Sequence, residues 1–210
     1  MKKSLILLAI IITATGIFAV NSKFVQRYYY VYFKTDNMFV NADVDSFDKG
    51  PDVGSPMPAI RAILDGSQVM NIASLAGSNG TLLVVNRSLE WCPFCMRQSI
   101  ELQNIKSEFD AKGIAIVMMT YDKPDIQQAF INRHSIQYPI LSDINGESFA
   151  NLAVLREEYG PDDMNYGLPY PGMFVVDTDG IIRGKLFIEA YSYRVASHAV
   201  LDFATEHLLK

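Results

Sequence analysis

Residues 81–95 read TLLVVNRSLEWCPFC and place a pair of cysteines directly after the pattern of a buried strand. Residues 81–86 are a short apolar run with β-branched side chains, which predicts a central strand. Residues 92–112 have apolar positions at helical spacing and end before Gly113, which predicts a helix. The apolar positions of this helix are Ile100, Leu102, Ile105 and Phe109. The stretch therefore predicts a strand, a turn and a helix that begins with a C-x-x-C motif.

The position of the two cysteines favours redox chemistry. A thiol at a helix N-terminus faces unpaired N–H groups and the positive end of the helix dipole. Both favour the thiolate, so the pKa of such a thiol falls from about 8.5 to between about 3.5 and 7.5. We expect Cys92 to attack and Cys95 to resolve the mixed disulfide. Pro93 suits the first helical turn, where an N–H group has no partner in the helix.

The cysteine pair has two other interpretations, half of a zinc site and two inert buried thiols. A structural zinc ion requires four ligands, and the histidines of the chain show no paired ligand spacing. These histidines are His134, His198 and His207. The chain has only two cysteines, whereas a disulfide-stapled domain has more, spread along the sequence. Because ligands for a zinc site are lacking in the sequence pattern, we predict no metal, and we also predict no cofactor.

The rest of the chain alternates between strand-like and helix-like segments. The further predicted strands, which are short apolar runs, are residues 114–120, 138–141, 173–177 and 181–189. The further predicted helices are residues 124–134, residues 147–158 and a last amphipathic segment with Val195, Ala199, Phe203, Val200, Ala204 and Leu208 at spacing four. Asp179-Gly180 is a typical hairpin turn between the last two strands. The sequence predicts an α/β sandwich of parallel βαβ units closed by a hairpin and a final helix.

Composition and charge limit the partners of the protein. The chain has 210 residues, half of them hydrophobic, and a net charge of -5. This length is enough for one domain and an N-terminal extension. Lysines and arginines do not cluster among aromatic residues, so we do not expect nucleic acid as a partner.

Residues 1–22 are predicted to be a signal peptide or an N-terminal membrane anchor. Lys2 and Lys3 precede an apolar run that continues to Val20, as in segments that enter a membrane. Cleavage signals are weak, so we expect a retained anchor that contacts the membrane through residues 4–20. The domain then lies outside the cytoplasm, in the periplasm if the source is bacterial. Residues 23–53 would form a membrane-proximal connector and residues 54–210 the domain.

Two segments resemble those of thioredoxin-like proteins. WCPFC at residues 91–95 is similar to their W-C-x-x-C motif, and PYPGMFVVD at residues 169–177 resembles the segment that carries their cis-proline. The resemblance implies that Pro171 is this proline and that the backbone of Tyr170 helps to hold a substrate chain. It also implies substrate contacts for Trp91, Pro93 and Phe94. An ordinary rigid turn is the alternative for the proline segment.

A closer resemblance is to the redoxin branch that includes alkyl hydroperoxide reductase and thiol-specific antioxidant proteins (AhpC/TSA). The segments that carry it are VGSPMP at residues 53–58, IVMMTYD at residues 116–122 and YPILSD at residues 138–143. They occur in the family order, and the resemblance covers roughly residues 50 to 205. It implies a thioredoxin-like three-layer sandwich with a central mixed sheet flanked by helices.

Two departures from peroxiredoxins bear on the reaction. Peroxiredoxins have a hydroxyl residue three places before the attacking cysteine and an arginine before the hairpin; Leu89 and Pro171 stand there in this chain. Arg87, Arg183 and Arg194 are candidates to replace the arginine. Because both devices for binding peroxide are missing, disulfide exchange is favoured.

The sequence thus predicts a thiol–disulfide oxidoreductase that exchanges with client proteins outside the cytoplasm. Its partners would be a client with a disulfide or thiols and a thiol electron donor or acceptor. A thiol-dependent peroxidase is the alternative, and an arginine near Cys92 would favour it. A module that binds metal through the two thiols is a third hypothesis. Asn86 stands where thioredoxins often have a buried acid. Asp122 lies in a predicted loop at the end of a strand, where we expect it to cap a helix, with catalysis as the alternative.

Overall fold

The computed structural model describes residue 16 and residues 23–42 and 47–209. The α-helices are α1 (Lys23–Phe33), α2 (Pro93–Asn104), α3 (Lys106–Ala111), α4 (Pro124–His134), α5 (Glu147–Asn151) and α6 (Ser197–Leu208). The strands are β1 (Phe39–Val40), β2 (Ala62–Leu64), β3 (Ser67–Val69), β4 (Gly80–Val85), β5 (Ile114–Thr120), β6 (Ile140–Ser142), β7 (Gly172–Val176), β8 (Ile182–Phe187) and β9 (Arg194–Val195). The predicted signal or anchor segment, residues 1–22, lies outside the described residues apart from Gly16.

The main sheet has seven strands in the order β3-β2-β6-β5-β4-β7-β8. The central strands β4, β5 and β6 are parallel. The hairpin β7–β8 runs antiparallel along one side of them, and the hairpin β2–β3 along the other. Because α2 and α3 connect β4 to β5 and α4 connects β5 to β6, the centre consists of βαβ units. The predicted α/β fold with a central mixed sheet is confirmed.

The two strands at the centre of the sheet are buried on both faces. In β4, Leu82 and Val84 contribute to one hydrophobic cluster, and Leu83 and Val85 contribute to the other. The first cluster also contains buried side chains of α2, α3, α4 and α6, and the second contains Phe149 of α5. A strand covered on both faces is apolar at every position, which is why the sequence identifies these strands directly.

Two predicted helices differ from those observed. The segment predicted as one helix over residues 92–112 is interrupted at Ile105, where α2 ends and α3 begins. The helix predicted over residues 147–158 ends at Asn151, because Ala153 adopts a left-handed conformation with φ 51°. The N–H groups of Ala153 and Val154 then bond back into the last turn of α5, as in a Schellman motif. Glycine usually occupies such a position, so an alanine there gave no signal in the sequence.

Three smaller predictions about element boundaries also need correction. The strand predicted over residues 138–141 is observed at Ile140–Ser142. Val195, predicted to lie in the last helix, belongs to β9 instead, since it pairs with Val40. The hairpin around Asp179-Gly180 forms as predicted, but β8 ends at Phe187. Short strands such as β9 and the hairpin β2–β3 have too few residues for a periodic signal.

Part of the segment predicted to be a connector packs on the domain. β1 pairs in parallel with β9, and the N–H of Arg194 donates to the carbonyl oxygen of Met38 at 2.8 Å. The guanidinium carbon of Arg97 in α2 lies 4.5 Å from the ring centre of Tyr32 in α1. Among the residues described, no helix is both long and apolar enough to cross a membrane.

We expect Phe109→Ala to destabilise the protein by about 3–5 kcal/mol, the usual cost of removing a buried phenylalanine side chain. Phe109 is fully buried between α3 and the sheet. Urea unfolding followed by circular dichroism measures the change. Met164→Ala is the matched control, since Met164 is 94% exposed and its truncation should change the free energy of unfolding by less than about 0.5 kcal/mol. Equal losses in both variants would contradict the assigned core.

Candidate active site at the Cys92–Cys95 pair

The two cysteines form a disulfide at the N-terminus of α2. Cys92 is the N-cap residue, and Pro93 is the first residue of the helix. The sulfur of Cys92 accepts a hydrogen bond from the N–H of Cys95 at 3.2 Å. Both cysteines are fully buried. Cys92 therefore lies where the sequence predicts, with its sulfur at the positive end of the helix dipole.

Arg87, in the loop after β4, reaches the sulfur of Cys92. Its Nη2 lies 3.4 Å from Sγ, and the side chain is mostly buried. The guanidinium carbon lies 5.0 Å from the ring centre of Tyr191 and 5.4 Å from that of Trp91. Aromatic faces stabilise a cation that has lost part of its water. Even so, burial, followed by the charge of Arg156, lowers the pKa of Arg87.

Arg194, in β9, reaches the sulfur of Cys95. Its Nη2 lies 3.4 Å from that Sγ. Its Nη1 donates to the carbonyl oxygens of Tyr191 and Tyr193 at 2.8 and 2.6 Å. Burial, followed by repulsion from Arg87, lowers the pKa of Arg194 to about 9. The site thus contains two guanidinium groups, one at each sulfur.

Three arginines were candidates to replace the arginine of peroxiredoxins, and only two of them lie at the cysteines. Arg87 and Arg194 lie at the sulfurs, whereas Arg183 pairs with Asp177 at 2.6 Å beside the hairpin turn. Leu89 is buried and has no hydroxyl to offer a peroxide.

Asp122, at the carboxyl end of β5, holds the loop that precedes the cysteines. Its Oδ1 accepts a hydrogen bond from the hydroxyl of Ser88 at 2.6 Å. Its Oδ2 accepts from the N–H of Leu89 at 2.6 Å and from the hydroxyl of Thr120 at 3.0 Å. Burial raises the pKa of Asp122, although these hydrogen bonds oppose the shift. The carboxyl group therefore acts as an anchor for the loop. The expected helix cap is not observed, since the N-cap residue of α4 is Lys123 and no side chain caps this helix.

Behind the disulfide, the polar side chains are neutral. The amide of Asn86 donates to Oε1 of Gln98 at 3.0 Å, and both residues are buried. The hydroxyl of Ser99 donates to the carbonyl oxygen of Cys95 at 2.9 Å, and that of Tyr138 donates to the carbonyl oxygen of Ser99 at 2.8 Å. Burial raises the pKa of Tyr138. Within the described ranges, no group of three Cys, His, Asp or Glu side chains could hold a metal ion.

Four aromatic residues, Trp91, Phe94, Tyr191 and Tyr193, lie in the segments that carry the cysteines and Arg194, and we call them the aromatic rim. Trp91, Tyr191 and Tyr193 are 40, 52 and 43% exposed. The rings of Phe94 and Tyr191 meet edge to face with centres 6.1 Å apart, and Trp91 meets Tyr121 in the same way at 6.4 Å. Contact of Trp91, Pro93 and Phe94 with a substrate stays a prediction.

The proline segment lies beside the site but differs from the expectation. Pro171 precedes Gly172, which pairs with Val85 at the end of β4. The described residues contain no cis peptide bond, so the bond before Pro171 is trans and the predicted cis-proline is wrong. The N–H of Tyr170 donates to the carbonyl oxygen of Val154 at 2.7 Å. That N–H group is therefore already bonded to the neighbouring loop, whose position the sequence pattern did not reveal.

Sequence reasoning missed the role of the segment before α6. Arg194 was only one of three candidate arginines, and Tyr191 and Tyr193 were not singled out. Arg194 and Cys95 are 99 residues apart in the chain, so no local spacing reports their contact. Arg87, in contrast, carries a local signal, since it stands five residues before Cys92 in the chain.

The profile of the AhpC/TSA family matches residues 53–185. Over 134 residues the chain is 25% identical to alkyl hydroperoxide reductase C of Buchnera aphidicola, a match that covers 60% of this chain and 64% of that protein. Over 91 residues it is 23% identical to the thiol-disulfide oxidoreductase ResA of Bacillus thuringiensis, covering 43% of this chain and 45% of that protein. The chain thus spans less than two thirds of the length of these relatives.

Solved structures agree on the fold. Peroxidoxin BcpB from Mycobacterium tuberculosis superposes with a TM-score of 0.59 at 21% identity, covering 78% of this chain and 97% of that one. At such low identity the likeness shows only that the two proteins share the thioredoxin-like fold. The reaction has to be inferred from the residues of this chain.

We expect the variant Asp122→Asn to gain stability relative to the wild type as the pH rises. Because burial raises the pKa of Asp122 in the folded protein, ionisation of this carboxyl group disfavours the folded state. The wild type then loses stability as the pH rises above about 4, the usual carboxyl pKa, whereas asparagine does not titrate. Urea unfolding of both proteins between pH 4 and pH 7 measures the difference. A difference that is constant with pH would contradict the raised pKa.

Proposed function

This chain belongs to the AhpC/TSA family, and on that basis we propose that it is a thiol–disulfide oxidoreductase that exchanges with client proteins. One observation carries the proposal: the Cys92–Cys95 disulfide lies at the N-terminus of α2, and a guanidinium group, that of Arg194, contacts the sulfur of the second cysteine as well. A helix N-terminus and nearby cations both favour thiolate over thiol. Each sulfur of the pair can therefore serve as a nucleophile and as a leaving group.

In the reducing direction, the thiolate of Cys92 attacks one sulfur of a client disulfide. A mixed disulfide forms and the other client sulfur leaves as a thiolate. The thiolate of Cys95 then attacks the sulfur of Cys92, which releases the second client sulfur and forms the disulfide of the structure. Two electrons pass to the client, and the same steps run backwards when the protein oxidises a client dithiol.

The surroundings of the pair support a disulfide as the substrate. A peroxide would need a hydroxyl donor near Cys92, but Leu89 has none and the hydroxyl of Ser88 is bonded to Asp122. Three residues of the aromatic rim, Trp91, Tyr191 and Tyr193, are exposed, and aromatic rings offer a large apolar contact area to a bound chain. Because Cys92 is fully buried, a client must displace the side chains that cover it before a client sulfur can reach that of Cys92.

The site of action outside the cytoplasm is part of the proposal. It rests on Lys2, Lys3 and the apolar run to Val20, which are typical of a segment that enters a membrane. The thiol electron donor or acceptor would then act on the same side of the membrane as the client.

A thiol peroxidase is the second candidate, and the contact of Arg87 with Cys92 at 3.4 Å favours it. In that reaction the thiolate of Cys92 attacks a peroxide oxygen, an alcohol or water leaves, and Cys92 becomes a sulfenic acid. Cys95 then condenses with the sulfenic acid, which releases water and forms the disulfide. A buried sulfur is more accessible to a small peroxide than to a client chain.

Stopped-flow fluorescence of the reduced, full-length protein in detergent micelles distinguishes the two. Trp91 is the only tryptophan of the chain and lies beside the pair, so its emission reports oxidation. We expect rapid oxidation by a disulfide-containing peptide, slow oxidation by hydrogen peroxide and loss of the peptide reaction in Cys92→Ser. Cys95→Ser should stop at a stable mixed disulfide, which mass spectrometry detects.

Rapid oxidation by peroxide together with slow exchange with the peptide would overturn the proposed disulfide exchange and establish a thiol peroxidase instead. Exchange at the wild-type rate in Cys92→Ser would overturn both, because both depend on the sulfur of this residue.

A further inference from the structure

Among the described residues, the two arginines at the cysteine pair have no anionic partner when the pair is oxidised. Arg87 is 9% exposed and Arg194 is 4% exposed. In the part of the chain that the structure describes, neither forms a salt bridge, and the Nε of each has no hydrogen-bond partner. A disulfide sulfur is neutral and only a weak acceptor. In the oxidised protein, two buried cations therefore contact sulfurs that cannot balance their charge.

Reduction changes this balance of charge. When the disulfide is reduced, a thiolate at Cys92 or Cys95 places a negative charge 3.4 Å from a guanidinium nitrogen, if the side chains stay in place. Charge-assisted hydrogen bonds are stronger than neutral ones, and burial strengthens them further. The repulsion that lowers the pKa of Arg194 comes in part from Arg87, and an anion at the pair would relieve it.

We propose that Arg87 and Arg194 stabilise the reduced pair over the disulfide, so that the protein acts as an oxidant of dithiols in client proteins. This inference rests on the proposed function and adds the direction of electron transfer, from the client to the cysteine pair. Thioredoxin-like proteins whose reduced form is stabilised are the stronger oxidants.

Each arginine assists one step of the oxidation. A client thiolate attacks the sulfur of Cys92, the disulfide breaks, and Cys95 leaves as a thiolate at Arg194. The second client thiolate then attacks the client sulfur of the mixed disulfide, and Cys92 leaves as a thiolate at Arg87. The client gains a disulfide and loses two electrons, which the cysteine pair accepts; the protons of the client thiols go to solvent or to a thiolate of the pair. A leaving thiolate of lower pKa departs faster.

The test measures the redox equilibrium of the full-length protein in detergent micelles with glutathione. The protein is equilibrated in buffers of varied reduced and oxidised glutathione, and the reduced fraction is read by thiol alkylation and mass spectrometry. We expect Arg194→Gln to shift the equilibrium at least tenfold towards the disulfide, which is about 30 mV. Arg194→Lys, which keeps a cation, should retain most of the wild-type value.

Arg87→Gln provides a second variant, because Arg194 also holds two backbone carbonyl groups and its loss could unfold the loop. We expect a shift in the same direction as in Arg194→Gln. Arg183→Gln is the matched control, since Arg183 pairs with Asp177 away from the cysteines, and it should leave the equilibrium unchanged. Thermal melting identifies variants that are not folded.

Folded glutamine variants within twofold of the wild-type equilibrium would overturn the inference, and so would equal shifts in Arg194→Gln and Arg194→Lys. In both cases the proposed function stands if the wild type exchanges with glutathione. A wild type that exchanges with neither glutathione nor a peptide disulfide would instead overturn the proposed function itself.

Discussion

Two guanidinium groups lie against a buried cysteine pair, and much of the surrounding structure serves to hold them there. A buried cation is unfavourable unless other groups replace its water. For Arg87 the faces of Trp91 and Tyr191 do so, and for Arg194 the carbonyl oxygens of the loop before β9 do so. The pairing of β1 with β9 fixes the backbone of Arg194, so a segment far from the cysteines in sequence supports one side of the site.

The position of the site follows from the parallel centre of the sheet. The loops after β4 and β5 emerge at the same edge, because the carboxyl ends of parallel strands lie together. The first loop carries Arg87 and leads to the cysteines, and the second carries Asp122, which bonds to Ser88 and Leu89 of the first. The helix N-terminus and the arginine are thus held by packed strands, which keeps a reactive group in a fixed position.

The same features bear on both candidate reactions. A cation at the sulfur of Cys92 assists attack on a peroxide as well as on a disulfide, because both reactions require the thiolate. The difference lies in the second cation, since Arg194 contacts the sulfur of Cys95. In a peroxidase, Cys95 acts only after the peroxide has reacted. When the protein oxidises a client dithiol, Cys95 is the leaving group of the first step, so a cation at this sulfur assists that step directly.

The sequence by itself determined the central strands, the helix that begins at the cysteines and the hairpin of β7 and β8, because these depend on local periodicity and turn residues. It also placed Cys92 at a helix N-terminus. Only the tertiary structure decided which arginines reach the sulfurs, that the N–H of Tyr170 is bonded to Val154, and that α5 stops at Asn151. These features depend on contacts between residues far apart in the chain or on the backbone conformation of one alanine, and neither leaves a repeating pattern in the sequence.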